Sequence, residues 1–239
     1  MTTLRLTIEY DGTGFHGWAR QPGQRTVEGA LRDALGRTFP RWSDLAVAGR
    51  TDAGVHATGQ VASVVVAGGP PPERAAEALN AGLPPDVAVL RCEAVAHTFH
   101  ARFSARARSY RYVVLNRPQR SALEARRSLW WPRPVDEEEL RACAALVPGE
   151  HDFTAFTPTD TQHRVFLRNV AAAGWERRGD HLHFTITADA FLRHMVRTLV
   201  GSMLELPAER FAPLLEGRHR SEAGATAPPW GLYLEHVCY

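Results

Sequence analysis

The sequence contains no lysine: all 28 of its basic residues are arginine. An arginine fork pairs bidentately with phosphate and stacks on bases, which an ammonium group does not do. A GC-rich genome or a thermophilic source produces the same bias, although arginine-for-lysine exchange is not a dependable thermophile mark. Cysteine is sparse: Cys92, Cys143 and Cys238 lie far apart and form no CxxC pair, which argues against a disulfide framework and a structural zinc site. No apolar run reaches the roughly 18 residues that a membrane span needs. The opening stretch, MTTLRLTIEYDG, lacks a basic segment followed by an apolar core, so it reads as the start of a mature cytoplasmic chain. With 239 residues, 44% of them hydrophobic and 23% charged, the composition is that of a globular protein of one large or two small domains.

The net charge is only +2, which taken alone argues weakly against a nucleic-acid partner. Placement is more informative. Between His100 and Arg133 nine arginines (102, 106, 108, 111, 117, 120, 126, 127 and 133) face a single acid, Glu124, a local charge of +8. Phe103, Tyr110, Tyr112, Trp130 and Trp131 interleave them. A basic stripe with stacking residues suits an RNA backbone and unpaired bases. A solvated basic face whose strand aromatics pack the core would give the same pattern.

Alternating Leu4, Leu6 and Ile8 predict a strand over 4–10. Thr26 caps a helix with Val27, Ala30, Leu31, Ala34 and Leu35 on one face. Strands are expected at 45–49 and 59–66, a helix from Pro72 to about Ala81, and a strand at 86–95. The second half follows the same order: a strand at 108–116, a helix capped by Asp136, strands at 164–175 and 181–187 around Arg178-Gly179-Asp180, a helix over about 189–205, a short helix near 208–216, and a last strand at 231–237. Two runs of βαββαβ predict an α+β protein of two ferredoxin-like modules with antiparallel sheets and a central active-site cleft, divided as 1–104 and 105–239.

Two loops invite chemistry. In Gly49-Arg50-Thr51-Asp52-Ala53-Gly54-Val55-His56, glycines bracket a carboxylate and allow a tight turn that projects it from a strand end, with Arg50 and His56 able to hold its charge. An aspartate capping its own turn is the plain alternative. Asp52 and His56 alone are too few for a metal site, so none is expected. Gly12-x-Gly14-x-x-Gly17 matches the dinucleotide fingerprint formally, but Trp18 to Gly23 opens no helix and no acid-ended second strand follows.

GRTDAGVHATGQV resembles the signature loop of the TruA-like pseudouridine synthases, with Asp52 at the position of the family's catalytic aspartate. YDGTGFHGW at 10–18, ARFSARARSYRY at 101–112, FLRHMVRTLVG at 191–201 and WGLYL at 230–234 are similar to the family's other blocks, in its order and along the whole chain. The resemblance implies a cofactor-free isomerase converting uridine to pseudouridine at positions 38, 39 and 40 of the tRNA anticodon arm. It implies a homodimer in which RNA reaches both subunits. It also implies Asp52 as the catalytic carboxylate, Tyr110 stacking on the target uracil, Arg197 pairing with Asp52, and Arg50 ordering the loop or touching phosphate; the four-residue spacing of Arg193 and Arg197 predicts that they share a helical face. The connection at 116–135 answers to no assigned motif, and the absence of lysine leaves open which residues make the RNA contacts that lysine makes in relatives. A non-catalytic pair of RRM-like modules and a nucleotide-binding oxidoreductase are the rival readings. The first would show an RNP1-type run of aromatics, and the second a retained cofactor.

Overall fold

A computed structural model describes residues 1–239. In chain order its main elements are β1 (Thr2–Tyr10), α1 (Val27–Thr38), β2 (Arg41–Val47), β3 (His56–Ala67), α2 (Pro72–Asn80), β4 (Val87–Val95) and β5 (Ala107–Leu115). These are followed by β6 (Leu129–Trp130), α3 (Glu137–Ala145), β7 (Gly149–Asp152), β8 (Leu167–Arg178), β9 (His181–Ala188), α4 (Met195–Glu205), α5 (Ala208–Phe211) and β10 (Leu232–Cys238). The chain forms two compact units, one of residues 1–106 with 233–239 and one of residues 107–232.

In the first unit β1 pairs antiparallel with both β3 and β4, and β2 pairs antiparallel with β3. The sheet order β4-β1-β3-β2, with α1 and α2 as crossovers, is the ferredoxin-like arrangement. The alternation of β1 puts Leu4, Leu6, Ile8 and Tyr10 in the core, where Leu31 and Leu35 of α1 and Leu79 of α2 are also buried. Each such aliphatic side chain stabilises the fold by about 1.5–3 kcal/mol. Thr26 caps α1 by accepting from Gly29 N at 3.2 Å, and Pro72 opens α2, where its missing N–H costs nothing. β2 reaches only the 62–67 end of β3, and β10 occupies the same edge at the other end, parallel, through Tyr233 opposite His56 and Leu234 opposite Ala57.

The second unit repeats the first five elements. β5, α3, β8, β9 and α4 build the antiparallel order β5-β9-β8, with β7 added beyond β8 and two-residue β6 parallel to β5. Arg178 pairs with His181 across a two-residue turn whose Gly179 takes φ +61°, and Leu182, Phe184 and Ile186 alternate into the core as expected. Asp136 caps α3, accepting from Glu138 N at 2.9 Å and Glu139 N at 3.1 Å. The protein is α+β with largely antiparallel sheets.

Several boundaries differ from the sequence reading. β2 runs over 41–47 instead of 45–49, because Asp44, at φ +54°, inserts a bulge between Ser43 and Ala46 that re-pairs the strand. β3 begins at His56 instead of residue 59, so its pairing starts immediately after the aspartate loop. The helix expected from about 189 starts at Met195, after His194 turns into the left-handed region at φ 62°. Arg193 therefore lies outside the helix and does not share a face of it with Arg197; its guanidinium lies 3.3 Å from Asp160 Oδ1. A division at 104/105 leaves β10 with the second module, whereas its backbone pairs with β3 of the first.

Candidate active site

The aspartate loop leaves β2 at Val47 and enters β3 at His56. It is braced from below by buried polar groups. The Tyr10 hydroxyl lies 2.7 Å from Thr51 Oγ1, either group able to donate, and accepts from Gln60 Nε2 at 3.3 Å. The same Gln60 amide donates to Gly49 O at 2.7 Å, so one side chain ties the loop's first residue to the tyrosine. Burial pushes the Tyr10 phenol up to about 12 against the pull of its Thr51 and Gln60 hydrogen bonds, so it stays a neutral hydroxyl throughout the ordinary range of pH.

The segment after β1 wraps the same loop from the other side. Trp18 N donates to Thr51 O at 3.0 Å, Gly54 N donates to Phe15 O at 3.2 Å, and Gly12 N donates to His56 Nδ1 at 3.0 Å. Asp11 Oδ1, which accepts from Thr13 N at 3.0 Å, lies 3.2 Å from His56 Nδ1. His56 is buried and stacked on Tyr233, ring centroids 4.7 Å apart.

The glycines explain how closely the two loops fit. A Cβ on Gly12 would lie 2.0 Å from Val55 O, and one on Gly17 would lie 2.7 Å from Thr51 O at a φ of +89°. On Gly14 it would meet the Arg25 guanidinium at 2.8 Å. The Gly-x-Gly-x-x-Gly spacing thus answers to the aspartate loop and to Arg25, and the rejected dinucleotide reading is replaced by a concrete packing role. Inside this frame Thr51, Val55 and His56 are buried while Asp52 remains half-exposed and Arg50 exposed. Asp52 is therefore carried, partly exposed, on a backbone that its neighbours hold in place.

In the second unit Tyr110 lies on β5 opposite Ile186, 8% exposed, with its ring edge-on to Phe191 at 4.9 Å. Arg197, half-buried on α4, donates from Nε to Ala227 O at 2.7 Å while its own carbonyl accepts from Ala227 N at 3.1 Å. The 225–227 segment lies so close over the helix that a Cβ on Gly201 would come within 1.7 Å of Ala225 O. Tyr112 is wholly buried, its hydroxyl donating to Pro228 O at 2.8 Å, and burial pushes its phenol far above the usual tyrosine range.

Tyr10, Thr51 and Gln60 were not singled out from the sequence. A glutamine inside the apolar run of β3 was the legible signal, since a fully buried amide must find partners. In the basic stretch Arg102, Arg106, Arg120, Arg126, Arg127 and Arg133 are exposed, whereas Arg117 is half-buried with its Nη1 3.1 Å from Asp180. The stretch's one acid, Glu124, lies 2.6 Å from His181 Nε2.

The sequence profile of a family described as tRNA pseudouridine synthase matches residues 6–104 and 142–239. Asp52, Arg50 and Arg197 fall inside the matched segments and Tyr110 falls between them. Curated proteins named tRNA pseudouridine synthase A align along nearly the whole chain. The one from Methylococcus capsulatus is 42% identical over 99% of this chain and 89% of its own length. That from Myxococcus xanthus is 42% identical over 100% and 92%, and that from Acetivibrio thermocellus 37% identical over 100% of both. Matched in both halves and end to end by these relatives, the chain belongs to the tRNA pseudouridine synthase family.

Proposed function

We propose that this protein isomerises uridine to pseudouridine at positions 38, 39 and 40 of the tRNA anticodon arm, acting in the cytoplasm as a homodimer. Asp52 is its catalytic carboxylate, and Tyr110, Arg50 and Arg197 bind the substrate. The reaction breaks the bond from ribose carbon 1′ to uracil nitrogen 1 and makes one from carbon 1′ to uracil carbon 5. Carbon 5 loses a proton and nitrogen 1 gains one, so nothing is added or removed overall and no cofactor has a part to play. The ribose develops oxocarbenium character, as in glycoside hydrolysis, and a positioned carboxylate stabilises or traps it. Attack on the sugar, attack on the base and removal of a sugar proton all require that same carboxylate near the glycosidic bond.

The observation that carries this reading is the contrast within the aspartate loop: Thr51 and Val55 buried and bonded on either side, Asp52 half-exposed between them. Preorganisation of this kind lets an acidic group act without first being ordered. The roles of Tyr110 and Arg197 rest on the motif blocks around them. Arg197 would meet Asp52 through a charge-assisted pair, with its Nε already oriented by Ala227 O. Tyr110 would lay an aromatic surface on a uracil that has left its stack, and its hydroxyl would serve the late proton transfer at carbon 5.

The test is to incubate the protein with unmodified anticodon-arm RNA carrying uridine at 38, 39 and 40 and to map pseudouridine afterwards. Conversion at those positions, accompanied by release of the carbon 5 hydrogen to water, is the expected result. RNA that is bound but emerges with uridine unchanged would instead leave a non-catalytic binding module.

A further inference from the structure

The five aromatic side chains of the basic stretch do not share one fate. Tyr112 is sealed in the core and Tyr110 is 8% exposed. Trp131 is half-buried under the Arg133 guanidinium, 5.1 Å from its ring centre, and Trp130 is 42% exposed with its indole N–H bonded to Arg117 O at 3.0 Å. Phe103 is 77% exposed.

Phe103 is exposed on a turn that is itself tightly held. His100 Nδ1 accepts from both Arg102 N and Phe103 N at 3.2 Å. Ser104 Oγ accepts from His100 N at 3.0 Å, and Ser104 N returns a bond to His100 O at 2.9 Å. Ala101 is anchored at both ends, its N–H to Ser63 Oγ at 3.1 Å and its carbonyl to the Tyr239 hydroxyl at 2.8 Å. The imidazole of His100 stacks on the phenyl ring at 4.4 Å and 29°, and the Arg102 guanidinium carbon lies 5.6 Å from the ring centre. A large apolar ring is thus fixed in orientation, backed by one flat group, accompanied by a cation and left in water.

We propose that Phe103 is a stacking platform for an unpaired base of the RNA substrate, with His100 supporting the ring from behind and Arg102 meeting the adjoining phosphate or the base face. This inference rests on the reading of the protein as an RNA-modifying enzyme. An aromatic face replaces the stacking that an unpaired base loses, whatever that base's identity. Charge decides between RNA and a second copy of the chain. No carboxylate occurs in the sequence between Glu93 and Glu124, while the exposed Arg102 and Arg106 flank Phe103. An RNA strand supplies the counter-charge at every nucleotide. A two-fold contact, which presents the same patch from both subunits, would bring these arginines toward one another.

The experiment compares wild type, Phe103→Ala, Phe103→Leu and Phe103→Trp for affinity toward the unmodified anticodon-arm RNA, and toward copies of it carrying one abasic nucleotide at a time. Phe103→Ala and Phe103→Leu should weaken binding on the order of 5- to 150-fold, and Phe103→Trp should stay near wild type. Leucine keeps the bulk without a π-face, so its weakened binding separates stacking from simple apolar packing. One abasic position should weaken wild type and leave Phe103→Ala no weaker than before. Unchanged affinity in Phe103→Ala overturns the platform, as does a shift in sedimentation from dimer to monomer with RNA affinity retained per subunit. Wild-type conversion of uridine in the same RNA tests the underlying function, so the two readings fail separately.

Discussion

Gly12→Ala probes the interlock between the two loops of the first unit. An added Cβ would sit 2.0 Å from Val55 O and 2.5 Å from Val55 C. Ordinary carbon contacts lie near 3.5 Å, so the two backbones must separate by on the order of 1 Å. Both sides are main chain, so no flexible side chain can swing away to absorb the strain. Val55 N donates to Asp52 O at 3.2 Å, and the displacement therefore passes straight to the carboxylate's residue. Overpacking of this kind costs roughly 1–3 kcal/mol, and for a chain of this size each kcal/mol lowers Tm by about 2–4 °C. A misplacement near 1 Å costs about 100-fold in rate. The control is Gly23→Ala, where no atom lies within 4 Å of the new Cβ and only a φ of +69° is strained. It should lose about 1–2 kcal/mol in stability and nothing in turnover. Single-turnover pseudouridine formation and thermal melting on both variants decide the matter. If Gly12→Ala, measured well below its melting temperature, turns over as fast as Gly23→Ala, the loop is not held in the way described.

Asp52→Asn should melt and bind tRNA close to wild type yet lose turnover by about 10⁴-fold; activity within about tenfold of wild type removes Asp52 from the chemistry. Replacing the exposed Arg120, Arg126 and Arg127 together by glutamine should flatten the plot of log affinity against log salt by about 0.7–0.9 for each phosphate no longer neutralised, and an unchanged slope would place the RNA elsewhere. Tyr10 gives a pH dependence with a definite sign. The unfolded chain releases its phenolic proton near pH 10, whereas the native state holds it to about 12. Its contribution to stability is therefore complete below pH 10 and is lost as pH rises through about 12. Melting temperature should fall across that window, and more gently in Tyr10→Phe.

Much of the fold was legible because its signals are local. The alternation in β1, the Thr26 and Asp136 caps, Pro72 at a helix start and the Gly179 turn each depend on neighbours in the chain, and each appears where the pattern placed it. The failures came where a distant partner or a backbone special decides. Nothing in the alternating LEHVC of β10 says that it pairs parallel with β3. The apolar periodicity of 192–203 continues through His194, whose left-handed turn delays α4 to Met195. Asp44 bends β2 for a reason that a propensity for strand does not encode.

The site divides along the same line. Asp52 was readable because glycines on both sides of a lone carboxylate are costly unless the backbone needs them, yet which backbone needs them is a tertiary fact. Gly12, Gly14 and Gly17 were visible as a pattern and consistent with a phosphate-binding turn, but they answer to Val55, Arg25 and Thr51. Glycine spacing reports that something comes close, not what comes close. The aromatics carry the same ambiguity with the opposite resolution. Five rings among nine arginines read equally as core or as RNA surface, and packing separates them: Tyr112 into the core, Phe103 into water. A group that handles a base needs to be both fixed and reachable. Phe103 has both through the His100 turn, and Asp52 has both through the loop that Tyr10, Thr51 and Gln60 brace. Tyr110 is fixed by its Phe191 edge contact and only 8% reachable, so of the proposed RNA-binding groups it depends most on the RNA bringing the base to it. Under the proposed role of Tyr110, base flipping would supply that movement, at the cost of the RNA's own stacking.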